Sequence, residues 1–169
     1  MKRAAIWFLA AGVLTSVRAA IELADPAYFR PVSVLDYTAV VVSSVAWGAT
    51  AVALYFWWRH SPIRRGSTLA LVAALGLAAS SVGNLLEDAF SVDSGEWLFT
   101  YGGMTGAIAI LALAVVVLSA PHPLRWSGIF LFAFVAGSTF PDDGGQWLSG
   151  LSLLVMGWWL WQRRQQSAD

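Results

Sequence analysis

Two adjacent carboxylates and an amide close one of the most apolar runs in this chain. The stretch Ser81-Val82-Gly83-Asn84-Leu85-Leu86-Glu87-Asp88 sets Asn84, Glu87 and Asp88 at i, i+3 and i+4, one face of a helix. Paired carboxylates in a poorly hydrated setting can hold a cation or an amine. They can equally share a proton and act as acid and base on a bound substrate. Glu22 ends an earlier apolar run in the same way, with Arg18 one turn before it. All three acids are expected at helix C-termini, where the macrodipole disfavours a carboxylate by about 0.3–1 kcal/mol. Partial burial adds a desolvation cost, so a counter-charge is needed. Arg18 is the candidate, about 7 Å inside the outer boundary of its span at 1.5 Å per residue. The expected arrangement is a network of Arg18 with Glu22, Asn84 and Glu87. The plainer alternatives are that Arg18 snorkels alone to the headgroups, and that helix three stops at Leu86, leaving Glu87 and Asp88 in a solvated loop.

The remaining acids have local explanations. Asp36 follows Ser33 in an S-x-x-D pattern, where a carboxylate satisfies free N–H groups at a helix start. Asp93 and Glu96 open helix four, and Asp142 and Asp143 form a Pro-Asp-Gly turn ahead of helix six. The candidate binding set is therefore Arg18, Glu22, Asn84, Glu87 and Asp88, with Asp36 and Tyr101 from the outer halves of helices two and four. If the protein is an enzyme, Glu87 is the general acid and Asp88 or Glu22 the base. No metal site and no cofactor are expected: His60 and His122 stand alone in loops, cysteine is absent, and no phosphate-binding glycine loop or Ser/His/Asp order is present.

The elements that must position these residues are membrane helices. Of 169 residues 58% are hydrophobic and 12% charged, with mean hydropathy +0.66, against roughly 25% charged in soluble domains. The chain reads as a single all-α membrane domain, a polytopic bundle with the lipid bilayer as its surroundings. Six transmembrane segments are expected at approximately 4–23, 34–58, 67–86, 97–120, 124–140 and 146–161. All six prolines fall between them, and most of the ten tryptophans lie near segment ends as an interfacial belt. The last two segments are short, so a five-span form with the sixth helix on the surface is the alternative. The first segment, preceded by Lys2-Arg3, is expected to be retained, because no clean small-x-small cleavage site follows its apolar run.

Charge fixes the expected orientation. Lys2, Arg3, Arg59, Arg64, Arg65, Arg125, Arg163 and Arg164 fall at both termini and in the loops after helices two and four. Both termini are therefore expected in the cytoplasm, in the cell's inner (plasma) membrane. Every acid except Asp169 falls on the opposite side. Zero net charge with no basic stripe excludes a nucleic-acid partner. "YGGMTG" gives helix four Gly102 and Gly106 at G-x-x-x-G spacing, a face for close helix packing or for a homodimer. Ser16–Glu22 and Ser81–Glu87 share Ser-Val-x4-Glu one hairpin apart, a weak internal echo.

Polar residues concentrate in the outer halves of the segments, while the inner halves ("AIWFLAAGVL", "LALVAALGLAA") are almost purely apolar. This predicts a polar vestibule facing out above a greasy plug. Three functions fit. The first is a binding or transport protein whose outward, carboxylate-lined pocket takes a small cation, amine or polar solute. The second is an intramembrane enzyme using paired carboxylates on a lipid or isoprenoid substrate, as cyclase, isomerase or hydrolase. The third is an accessory or assembly subunit of a larger membrane complex, docked through the charged cluster.

Overall fold

A computed structural model describes residues 1–24, 33–140 and 144–165; of Arg65, Arg164 and Gln165 only the backbone is described. The described residues are helical, with no strand among them. Six α-helices follow in order: α1 (Lys2–Ala24), α2 (Val34–His60), α3 (Ser67–Asn84), α4 (Ser94–Leu118), α5 (Ser127–Thr139) and α6 (Gly145–Gln165). Short 3-10 turns at Arg64–Gly66 and Pro123–Trp126 lead into α3 and α5. Each helix packs on its chain neighbours and α6 packs on α1, so the chain closes an antiparallel ring in sequence order.

Among the described residues four helices are long and apolar enough to cross a membrane: Lys2–Ala24, Val34–His60, Ser67–Ala89 and Ser94–Leu118. The other two differ from these for separate reasons. Helix α5 has 13 residues, a rise of about 20 Å. Helix α6 is long enough with 21 residues but carries Gln146, Gln162 and arginines among its tryptophans.

Helix boundaries follow local chemistry. Ser33 and Asp36 form the expected capping box, the Ser33 hydroxyl accepting from Asp36 N–H at 3.0 Å and the Asp36 carboxylate from Ser33 N–H at 2.8 Å. Asp93 occupies the cap position of α4 but makes no side-chain cap bond, and its backbone is already helical rather than extended as a capping residue's usually is. Helix three does not stop at Leu86. It widens at Leu85 into a π turn that runs to Ala89, and Ser91 leaves it with φ 54°.

Two ends of the ring differ in character. Lys2 lies over the Trp161 ring at 5.4 Å, so the start of α1 and the last turns of α6 share one end. Arg3 over Phe56, Arg59 over Trp58, Arg125 over Trp126 and Arg163 over Trp159 complete a cation–π belt there. We call this the basic end. Just inside it lies the packed plug: Phe8, Leu54, Trp57, Leu113, Leu153 and Met156 are fully buried. Most buried polar residues, Thr15, Ser43, Ser44, Ser80, Asn84, Ser149 and Ser152 among them, lie in the opposite, acidic half, while Ser127 is buried at the basic end. Most are satisfied by packing rather than by an open vestibule. Thr15 and Ser44 donate to carbonyls one turn back, and Ser149 donates to Phe134 O across to α5.

The tightest seam joins α3 to α4. A Cβ at Gly76 would stand 2.6 Å from Gly106 N, and one at Gly83 would collide with the Phe99 N–H and Gly95 C=O. Only glycine admits that backbone-on-backbone approach. Gly102 and Gly106 are therefore both buried within the chain, against Gly76, Leu77 and Ser80.

Candidate functional site

The site begins at Ser43-Ser44, adjacent serines near the acidic end of α2. Arg18 of α1 reaches inward and donates to the Ser43 hydroxyl. Its Nε donates to Glu22 Oε1 at 2.7 Å, and both side chains are largely buried. Its guanidinium lies 6.0 Å from the centre of the Trp47 ring, one turn further along α2. Arg18 is thus held by Glu22 on its own helix and by Ser43 and Trp47 of α2. On the other side Asn84 of α3 donates to Ser44 Oγ at 2.8 Å and Val40 O at 3.3 Å, while Ser81 donates to Ser44 O at 2.7 Å. Two networks, one ionic and one neutral, therefore meet at consecutive residues of α2.

The sequence-predicted residues divide accordingly. Arg18 and Glu22 are together, and Asn84 joins them through Ser44 and Ser43 rather than by touching Arg18. Glu87 lies outside both networks. It shares the half-buried π turn with Asp88 and faces Asp88 and Glu96 of α4. Asp88 is the carboxylate of that turn within electrostatic reach of Arg18. The widened turn is the physical reason: it rotates everything after Asn84, so Glu87 and Asp88 leave the face that an unbroken helix would give them. Asp36 is buried in its capping box. Tyr101 is exposed on α4, stacked on Trp97 at 5.2 Å and 10°. Asp142 and Asp143 lie outside the described residues. Among the described residues no group of three or more His, Asp or Glu is arranged to hold a metal.

Beside these networks lies a cavity of about 320 Å³ between the acidic halves of α2, α3, α4 and α5. Its floor is Leu77, Ser80, Ile110 and Phe134, all buried. One wall is Trp47, stacked on Phe99 at 5.3 Å and 15°. Thr100, Met104, Ser138 and Thr139 line it and are exposed, which puts the mouth between α4 and the end of α5. The lining is apolar and aromatic with four hydroxyls, and Glu22, Glu87 and Asp88 are not part of it. Ser80 donates to Phe99 O and Ser138 to Phe134 O, so these hydroxyls also fix the walls. Thr100 belongs as well to a smaller cleft of about 170 Å³ with Glu96, Trp97 and Tyr101, adjoining the cavity's rim.

Sequence reasoning passed over Trp47 and Phe99, took Thr100 only as one of the polar residues in the outer half of helix four, and read Glu96 only as a residue opening a helix. A signal for Trp47 was present. It sits mid-helix among Ser43, Ser44, Ala46, Gly48 and Ala49, where neither an interfacial anchor nor a filled core is expected. No protein-family model, curated protein or solved structure matches this chain.

Proposed function

We propose that this protein spans the membrane six times with both termini in the cytoplasm, and that its cavity binds a small amphipathic amine presented from the outer side. The observation that carries the reading is an apolar, aromatic-walled cavity whose hydroxyl rim adjoins the carboxylate of Glu96. Apolar lining with a few placed polar groups is the usual make-up of a small-molecule site, and about 320 Å³ is the small end of that range. Trp47 and Phe99 offer flat faces to an aromatic or alkyl body. Glu96, with Glu87 and Asp88 behind it, draws the positive end.

The orientation rests on the basic end. The start of α1, the end of α6 and Arg59, Arg64 and Arg125 gather there, as cytoplasmic loops require, while Glu22, Asp36, Glu87, Asp88, Asp93 and Glu96 lie at the other end. Helix α5 completes its span with help from the 3-10 turn before it and modest local thinning of the bilayer. The inner plasma membrane is the corresponding location. The packed plug between cavity and basic end makes the cavity a binding pocket with one access, so movement of solute across the membrane would require α4 and α5 to reposition.

The test is a binding titration of phenylbutylammonium and of its neutral analogue phenylbutanol to the detergent-solubilised protein, followed by tryptophan fluorescence. The amine is expected to bind about tenfold more tightly, a difference of about 1.4 kcal/mol, and Glu96→Gln is expected to erase that preference while leaving phenylbutanol unchanged. Equal affinity for both ligands in the wild type would refute the amine assignment.

A further inference from the structure

At the basic end, remote from the cavity just described, the loop after α2 and the end of α4 enclose a groove of about 600 Å³. Arg64 and His122 line it together with Ile63, Val115, Val116 and Ser119. Its lining is of two kinds. Val115 and Ile63 are apolar, and Val115 is 61% exposed while Ile63 is buried. Arg64 and His122 supply the polar groups. His122 has a fixed role there: its Nδ1 accepts the Leu124 N–H at 3.0 Å, which caps the turn leading into α5. The neutral ring therefore carries its proton on Nε2 and offers that N–H as a donor. The groove thus brings a permanent cation and a donor together with exposed Val115, half-buried Val116 and buried Ile63.

An apolar lining with paired donors fits one class of ligand. We propose that the groove is a binding site for one anionic phospholipid, its phosphate on Arg64 and His122 and an acyl chain along Val115 and Val116. A planar guanidinium grips phosphate through two parallel hydrogen bonds, and the surrounding belt of arginines adds attraction for a negative headgroup. The site itself does not depend on the amine reading; only its assignment to the inner leaflet rests on the orientation given above. A bound lipid would brace the loop after α2 against the loop after α4.

The experiment uses the full chain in micelles containing equal amounts of phosphatidylglycerol and phosphatidylcholine of the same acyl length, read by native mass spectrometry. The wild type is expected to retain one phosphatidylglycerol in preference to phosphatidylcholine. Arg64→Gln is expected to lower that retention about tenfold, and His122→Leu to lower it less. Arg125→Gln alters an exposed arginine outside the groove and is expected to leave retention unchanged. Equal retention of the two lipids by the wild type would overturn the proposal. So would a loss in Arg125→Gln as large as in Arg64→Gln, because a diffuse basic surface would then suffice. A third arm adds millimolar inorganic phosphate without lipid: phosphate adducts that depend on Arg64, with no preference for phosphatidylglycerol, would assign the site to free phosphate and sink the lipid reading. Unchanged tryptophan emission and a monodisperse elution profile keep each variant interpretable.

Discussion

The seam between α3 and α4 gives the most quantitative expectation. Replacing Gly83 by alanine adds one methyl carbon where the Phe99 N–H and the Gly95 and Leu98 backbone already stand at contact, Gly95 O 2.7 Å from the new atom and Phe99 N nearer still. Ordinary carbon contacts begin near 3.5 Å, so the helices must part by about an ångström or more. Backbone cannot swing aside as a side chain can. The cost therefore lies at the upper end of overpacking, about 3 kcal/mol. Helix propensity returns at most about 1 kcal/mol of this, leaving a net loss of about 2 kcal/mol. Gly48→Ala is the internal control: its Cβ would meet only Ser81 Oγ, at an unstrained 3.4 Å, so propensity acts alone and stability should hold or rise slightly. Thermal unfolding of purified protein in detergent, followed by loss of the monodisperse peak, reads both. For a chain of this size 1 kcal/mol moves the midpoint by about 2–4 °C, so Gly83→Ala should melt about 4–8 °C below wild type. A midpoint equal to that of Gly48→Ala would refute the close approach of α3 and α4.

Three further outcomes follow from the same geometry. Arg18→Gln leaves the Glu22 carboxylate half-buried without its 2.7 Å partner, so it should cost more than the double variant Arg18→Gln/Glu22→Gln; a double-mutant cycle is expected to return a coupling of about 1 kcal/mol. Asn84→Leu removes the bonds to Ser44 and Val40 O and should lower stability in detergent by about 1 kcal/mol, within the range for interhelical bonds in membranes; an unchanged midpoint would show that these bonds do not hold α2 to α3. The chain has no cysteine, so single cysteines at Ser91 and at Ser119 report topology cleanly. An impermeant maleimide added to whole cells should label the first and not the second, and the reverse pattern would invert the orientation.

Much of the fold was legible because it is written in simple physics. Apolar length marks helices, proline marks their ends, and arginine marks one side, so six segments could be placed within a few residues of their observed limits. The Ser33–Asp36 capping box was readable because it is local in sequence. What could not be read is what depends on rotation about a helix axis. A strict 3.6-residue period puts Glu87 and Asp88 beside Asn84, but a single widened turn at Leu85 moves them off that face, and nothing in "LLEDA" announces it. The cavity was hidden for a related reason. Its walls come from four helices, and Trp47, Phe99 and Phe134 meet only once the ring has closed. Arg18 shows the middle case: sequence supplied the residue and its partner Glu22, while Ser43 and Trp47 were contributed by the neighbouring helix.

A blocked cavity examines the central reading directly. Ala107 lines the pocket on α4 and is half-buried, so Ala107→Phe should fill the space without touching Arg18, Glu22 or the α3–α4 glycines. Isothermal titration of phenylbutylammonium into wild type and this variant, both verified as folded, is the measurement. One saturable site in the wild type and none in Ala107→Phe is the predicted result. Undiminished binding in the filled variant would place the amine elsewhere and contradict the account.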